Sequence, residues 1–547
     1  MDGRLIINNE RVATDKALWV KNPTTLEIIE EVHLASDREC RLALDAAHAA
    51  FPLWNRMSFG EKKKIFRAAR SILLRRAREV AELVSREKGS PIVEAMGVDV
   101  LSGLEILDYY SNNLAKVRAP RRQRLQLPLF AHKKNAFHFQ PLGVSLIISP
   151  WNFPFIIPFG DTVSSLAAGN TVVLRPSSAT PLTGLMIGEI LLEAGLPPGV
   201  LNVVNSRTAQ AEYLISDPTV ETILFTGSVE IGKRVMELAA RNLTHVILEL
   251  GGKDPMIVLE DADLDHAVRG ALWNGFMNTG QSCASIERVY VEKGLADKFI
   301  SQLTSQTKAL RMGDPLDPET DIGPMTTLSQ LETVEAQLAE ARAKGADVLC
   351  GGARSHVLPG YFLQPAVVAK VDHSMKIMKE ETFGPVLPVM SVSGIDEALT
   401  LANDCDYGLT ASVWTRSRKK AAWLAERLEA GTVTVNDHMF SFTDPKAIWG
   451  GIKKTGVGRS HGPYGLLEIS NIKFISMDFS RKRDRLWWYP YSGSKKSIME
   501  KATVLLHHRS FFKRAGAMAG LLRFLPILRQ GNSYRNYMEY LDRMIRR

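Results

Sequence analysis

Gly143-Val144-Ser145-Leu146-Ile147-Ile148-Ser149-Pro150-Trp151-Asn152-Phe153-Pro154 begins as an apolar run and breaks into a turn bracketed by prolines. A run with so little polar alternation reads as a strand buried on both faces. The pattern recurs at Thr171-Val172-Val173-Leu174, Leu201-Asn202-Val203-Val204, Thr222-Ile223-Leu224-Phe225 and His245-Val246-Ile247-Leu248, with helical segments between. Strands alternating with helices predict an α/β fold with a parallel sheet covered on both faces. Such sheets bind ligands outside the carboxyl ends of their strands, so the loops after these runs are where chemistry is expected.

After Ile148, two prolines fix the backbone around one amide side chain, Asn152. A held amide donates well to an oxygen that becomes negative during acyl chemistry; it also serves simply to satisfy a turn. After Phe225 comes Thr226-Gly227-Ser228-Val229-Glu230-Ile231-Gly232. Gly227 and Gly232 with Ser228 at a helix start suit a pyrophosphate, because free N–H groups and the helix dipole point at it. The spacing is not the GxGxxG fingerprint. After Leu174, Arg175-Pro176-Ser177-Ser178 offers a cation and hydroxyls to a sugar or phosphate. After Leu248, Glu249 precedes a Gly pair, Gly251-Gly252. A carboxylate at the end of an apolar strand has its pKa raised toward that of a base; capping the next element is the alternative.

Farther along, Phe276-Met277-Asn278-Thr279-Gly280-Gln281-Ser282-Cys283-Ala284-Ser285 follows a helical run from Val268 to Met277. Gly280 permits a sharp turn. A thiol among small residues on such a turn is open to substrate, although most free cysteines are buried small hydrophobes.

The remaining composition bounds the answer. A chain of 547 residues, 45% hydrophobic and 23% charged, is too long for one core and reads as an ordinary globular protein. Four cysteines without CxxC spacing argue against a disulfide framework or a metal site, and point to a reduced, cytoplasmic setting. No signal peptide and no spanning apolar run is apparent. Glu61 to Glu87 reads as one or two amphipathic helices over a sheet. Residues 119–141 read as two alternating segments about a turn, Leu125–Phe130 and Ala136–Phe139, a projecting hairpin for oligomer formation. Its charges come without a nucleic-acid motif, so no nucleic-acid partner is expected.

Taken together, these loops resemble the aldehyde dehydrogenase superfamily, in order, over about residues 20 to 478. Leu248–Pro255 fits its glutamate motif and Phe276–Ala284 its cysteine motif, with 34 residues between Glu249 and Cys283. Glu381-Thr382-Phe383-Gly384-Pro385-Val386 looks like its cofactor-contacting segment, and Gly450–Arg459 resembles its late glycine-rich signature. The resemblance implies an α/β fold with a Rossmann-like cofactor domain (1–118 and 142–252), an α/β catalytic domain (253–452) and small β oligomerisation elements (119–141 and 453–480) of a homodimer or homotetramer. It implies Cys283 as the nucleophile that forms a thiohemiacetal and then a thioester, with hydride transfer to NAD or NADP between. Asn152 and the Cys283 N–H would hold the oxyanion, and Glu249 would activate the hydrolytic water. Glu381 and Phe383 would hold the nicotinamide ribose, Gly227 and Ser228 the pyrophosphate, and Trp151, Arg175 and Ser178 the adenosine end.

Several positions depart from the family pattern. Arg175 and Ser178 stand where NAD-using members mostly carry Lys and Glu, which favours acceptance of NADP through a cation–phosphate pair. Asp161 stands where many relatives have a lysine, and Trp449 where Phe is usual. With Phe153, Met277, Phe440 and Phe442, Trp449 suggests an apolar substrate tunnel, and Gly160 suggests room for a larger aldehyde, such as a long-chain one. The competing readings are a cofactor-independent thiol esterase and a catalytically idle membrane-bound scaffold.

The charge is uneven. From Arg481 to Arg547, 16 Lys and Arg face 4 Asp and Glu, so this tail carries +12 of a net +9 and the body −3. Arg481–Tyr491 sets cations beside Trp and Tyr, and Phe511–Arg529 mixes apolar and basic residues without an acid. Both patterns suit a peripheral membrane surface; packing on its own body is the alternative.

Overall fold

The computed structural model describes residues 2–127, 130–480 and 485–524. They divide into two compact units, one of Met1–Val117 with Gln140–Asn471, the other of Arg118–Phe139 with Ile472–Arg547.

The first unit contains two large sheets. The five runs read from the sequence form β1 (Val144–Ile148), β2 (Thr171–Arg175), β3 (Leu201–Val203), β4 (Val220–Thr226) and β5 (His245–Glu249). They lie parallel in the order β3-β2-β1-β4-β5. All of β1 is buried, as its Val/Ile/Leu content requires. The order reverses at β1, so the loops after β1 and β4 flank the crevice where a doubly wound sheet takes its ligand. Leu5–Ile7 adds an antiparallel edge beside β3, and Gly456–Val457 another beside β5. That last pair was expected among the oligomerisation elements. It belongs to this sheet because Gly456 lies against Leu248, where a β-carbon would meet the Leu248 carbonyl at 1.9 Å.

The second sheet contains β6 (Asp254–Val258), β7 (Ile286–Glu292), β8 (Asp347–Cys350), β9 (Ala366–Ala369), β10 (Val386–Val392), β11 (Thr410–Trp414) and β12 (Thr432–Val435). Their order is β8-β9-β10-β7-β6-β11-β12, with only β8 antiparallel to its neighbour. The chain passes from β5 to β6 through Leu250–Lys253, so the glutamate motif is the hinge between the sheets. Helices cover both. Ser58 and Glu61 form a reciprocal capping box at the start of Phe59–Arg75, and Gly89, in the left-handed region, ends α1 (Ala77–Lys88). These are the two helices expected over Glu61–Glu87.

In the second unit, Ser470–Met477, Lys134–Pro141 and Arg121–Arg122 make a three-stranded sheet. Among the described residues, only Arg121–Arg122 pairs as a strand across the expected hairpin, against Ala136 and Phe137. Leu125–Leu127 forms no strand, and Pro128, which has no N–H to give a ladder, follows at once. The tail forms two helices, Gly493–His507 and Phe511–Leu522, packed through Ile498, Leu505, Ala517 and Leu521. Phe511, Phe512, Trp488 and Tyr489 are exposed. The tail's residues 481–484 and 525–547 lie outside the described residues. Among those described, no helix is long and apolar enough to cross a membrane.

Candidate active site

Cys283 follows α2 (Leu264–Phe276), which occupies most of the expected helical run. Between them the chain turns through Asn278 (φ +58°), Thr279 (φ +58°) and Gly280 (φ +69°). Left-handed backbone at two residues with side chains costs energy and persists only where surroundings enforce it. Here the enforcement is a set of hydrogen bonds centred on Asn278. Its N–H donates to Glu94 Oε2 at 2.9 Å, and its Nδ2 donates to the carbonyls of Asn152 (2.9 Å) and Gln281 (3.0 Å). Its own carbonyl accepts Gln281 Nε2 at 3.1 Å. Gly280 has no alternative, since a β-carbon there would sit 2.2 Å from the Gly384 carbonyl oxygen.

This turn brings Cys283 to the crevice of the first sheet. Asn152, on the loop after β1, donates from Nδ2 to the Gln281 carbonyl at 3.1 Å, which ties it to the cysteine loop. Glu249, the last residue of β5, lines one cavity together with Cys283, Asp161, Thr226, Ser460 and His461. Its Oε1 accepts Ser460 Oγ at 3.1 Å, and its Oε2 is buried without a hydrogen-bond partner. Glu249 and Cys283, from separate loops, therefore share a cavity, and Asn152 is tied to the loop that carries Cys283.

Burial sets the electrostatics of this cavity. It pushes Glu249 up to about 8, and the neighbouring Asp161 carboxyl adds to the effect. Burial likewise raises Asp161 to about 7 and lowers His461 to about 4, leaving that imidazole neutral near pH 7. The Cys283 thiol is pushed far up, first by burial and then by Glu381, Asp254 and Glu249. The resting site thus carries little charge: a neutral thiol faces carboxyls that titrate near neutrality. Ser460 and His461 were not singled out in the sequence. The available signal was their place directly after Gly458-Arg459, at the end of the glycine-rich signature.

On the cofactor side, Trp151 meets Phe383 edge-on, with ring centres 5.4 Å apart. The Glu381 carboxyl accepts the Gly252 N–H at 2.9 Å, and burial and Glu287 raise it to about 8. A β-carbon on Gly251 would touch that carboxyl at 2.5 Å, and one on Gly252 would overlap the Cys283 carbonyl at 2.0 Å. Only glycines fit between the glutamate and cysteine loops. A buried ion pair, Lys253 with Glu287 at 2.7 Å, pins the Glu381 segment: Glu287 accepts the N–H groups of Thr382 (2.7 Å) and Phe383 (2.9 Å). Gly227 donates its N–H to the Glu249 carbonyl at 3.0 Å. Ser228 caps the helix Val229–Ala239, its Oγ accepting the Ile231 N–H. Arg175, mostly buried, donates to the Ser206 carbonyl at 2.7 Å, while Ser178 is exposed beside it on the loop after β2. A strand-order reversal, a capped helix end and a glycine cradle suit a dinucleotide.

A second cavity, of about 140 Å³, also borders Cys283. Phe153, Met277, Phe440, Phe442 and Trp449 line it, as the tunnel reading requires, and no charged side chain does. Gly160 does not. It packs in a helix–helix contact, where a β-carbon would face Ile106 Cδ1 at 3.2 Å, so it adds no room to this cavity.

Comparison with known proteins agrees with this geometry. The model of the aldehyde dehydrogenase family matches residues 11–475. A betaine aldehyde dehydrogenase of Cereibacter sphaeroides is 38% identical over 453 residues, 83% of this chain and 92% of that protein. Among solved structures, an NADP-dependent enzyme of E. coli superposes with a TM-score of 0.84 at 34% identity, covering 87% of this chain and 98% of that one. A betaine aldehyde dehydrogenase of Staphylococcus aureus in complex with NAD+ superposes with a TM-score of 0.84 at 30% identity, covering 89% and 100%. The chain belongs to the aldehyde dehydrogenase family and is an NAD(P)-dependent enzyme of aldehyde oxidation.

Proposed function

We propose that Cys283 is the nucleophile, Glu249 the base for deacylation, and Asn152 with the Cys283 N–H the oxyanion donors. The observation that carries this is the shared cavity of Cys283 and Glu249, in which one Glu249 oxygen has no protein partner and is left for water. The Cys283 sulfur, its proton released to solvent, adds to the aldehyde carbon, and the carbonyl electrons move onto the oxygen that Asn152 Nδ2 and the Cys283 N–H would hold. A bound nicotinamide supplies the two-electron acceptor that turns this adduct into a thioester. Glu249 then takes a proton from water, the hydroxide adds to the thioester carbonyl, the C–S bond breaks and the acid leaves. Glu381, Phe383, Gly227, Ser228 and Trp151 would hold the cofactor, with Arg175 and Ser178 at its adenosine end. Glu249→Gln should retain a burst of reduced nicotinamide and lose turnover, while Cys283→Ala should lose both. A burst that survives in Cys283→Ala, or full turnover in Glu249→Gln, would overturn the assignment.

For the substrate, the uncharged aromatic cavity supports an apolar aldehyde, long-chain ones included. A quaternary ammonium aldehyde, as named for the Cereibacter relative, is the second reading, since ring faces attract cations. A panel of aldehydes of increasing length run with both cofactors tests this together with acceptance of NADP. An excess of about tenfold or more in kcat/KM for NAD over NADP, equivalent to roughly 1.4 kcal/mol, would end the NADP reading.

The domain assignment follows the two sheets, with the second unit's sheet, whose Ile472 and Phe474 are exposed, serving homo-oligomer formation. The tail helices, with exposed Phe511 and Phe512 beside Lys513 and Arg514, support peripheral contact with an anionic membrane. Co-sedimentation with anionic vesicles should require residues 481–547; equal binding without them would sink that reading.

A further inference from the structure

The chain just beyond α1 carries charge into the protein interior. Lys88 is fully buried, and the turn that follows shortly after, Ala95–Leu101, is π-helical. A π turn admits an extra residue into a helix and recurs beside functional sites. This one aims Asp99 inward, where its Oδ1 accepts the Ile156 N–H at 3.0 Å. Ile156 opens the helix Ile156–Ala168, directly after the Asn152 loop. One turn earlier, Glu94 accepts the Asn278 N–H at 2.9 Å, and Ser90 Oγ donates to Asn278 Oδ1 at 3.3 Å. Asn278 in turn donates to the Asn152 carbonyl. A single segment therefore grips both sides of the reacting centre.

The Lys88 ammonium makes no hydrogen bond and stands in the field of Glu94 and Asp99. Burial disfavours the charged form of all three groups, and each carboxyl's attraction to Lys88 opposes that. Isolated buried charge is expensive and persists where it is paired. The hold on the two loops is geometric: a carboxyl keeps an oxygen that accepts a backbone N–H in either protonation state.

We propose that Ser90, Glu94 and Asp99 are positioning residues of the oxyanion site. The two buried carboxyls accept the backbone N–H groups of Asn278 and Ile156 and, with Ser90 on the Asn278 side chain, fix the Asn152 loop against the Cys283 loop. The inference rests on the reading of Asn152 as an oxyanion donor.

The test is a double-mutant cycle on the full-length enzyme. Glu94→Leu, which removes the acceptor at similar volume, should lower kcat on the order of tenfold, the scale of a small displacement at a reacting centre, with KM for the cofactor unchanged. Added to Asn152→Ala, it should cost nothing further, because the amide it positions is already gone. Ser90→Ala removes one hydrogen bond and no charge, and should behave the same way; it replaces Glu94→Leu if that variant does not fold. Losses that multiply in the double variant, or wild-type kcat in a folded Glu94→Leu or Ser90→Ala, would overturn the positioning role alone. Wild-type kcat in Asn152→Ala would overturn the oxyanion reading beneath it.

Discussion

Glu249 has two neighbours that set its behaviour as a base. Ser460 holds one oxygen, and Asp161, in the same cavity, raises its pKa by adding a second carboxyl. Replacing Asp161 by Asn removes that contribution and leaves the burial. The Glu249 pKa should therefore fall below about 8, and the alkaline-rising limb of the deacylation rate should move to lower pH. A limb that stays in place, or moves to higher pH, would contradict the coupling. At this scale the sequence was informative in part. Cys283, Glu249 and Asn152 stood out because each ends or follows an apolar run. Ser460, His461, Glu94 and the bridging role of Asn278 did not, because each acts through a partner more than a hundred residues away in the chain, or through a backbone atom.

The elements that mattered most were the loops, and their geometry depends on glycine. Gly280 combines φ +69° with a β-carbon position 2.2 Å from the Gly384 carbonyl. Gly280→Ala should displace the cysteine turn and cost about 1–3 kcal/mol in strain, read as a lower melting temperature together with a loss of turnover. Wild-type rates in that variant would show that the turn tolerates displacement. The five parallel strands were legible because strands buried on both faces have a near-unbroken apolar composition that little else shares. The strand expected at Leu125–Phe130 does not form over its described residues Leu125–Leu127, because pairing is decided by the neighbour and not by the alternation of the run itself. The π turn at Ala95–Leu101 has no signature of its own, because it is held by contacts to Ile156 and Asn278 that only the folded chain supplies.

For the whole molecule, buried acids set the response to pH. Glu87, Glu94, Asp99, Asp161, Glu249 and Glu381 all have pKa values raised to between about 6 and about 8, burial being the first cause in each. An acid raised in the folded state contributes stability that is fully present below its unfolded pKa and is lost as pH rises through the folded value. His438 and His461, lowered to about 4, act oppositely: their contribution is full above about 6.5 and is lost as pH falls toward 4. Because the acids outnumber these histidines, the melting temperature should decline as pH is raised from about 5 to about 8, a trend that calorimetry checks. A melting temperature that climbs steadily over that interval would refute the balance.

The hinge at Leu250–Lys253 has a further consequence. Glu249 and Asn152 belong to the first sheet, while Cys283 stands on the second, just before β7. A slight shear of one sheet past the other would part sulfur from carboxylate while every helix and strand stayed intact. Catalysis should therefore disappear at a lower urea concentration than the far-ultraviolet circular dichroism signal, so that turnover serves as the molecule's most sensitive gauge of how its two halves are docked.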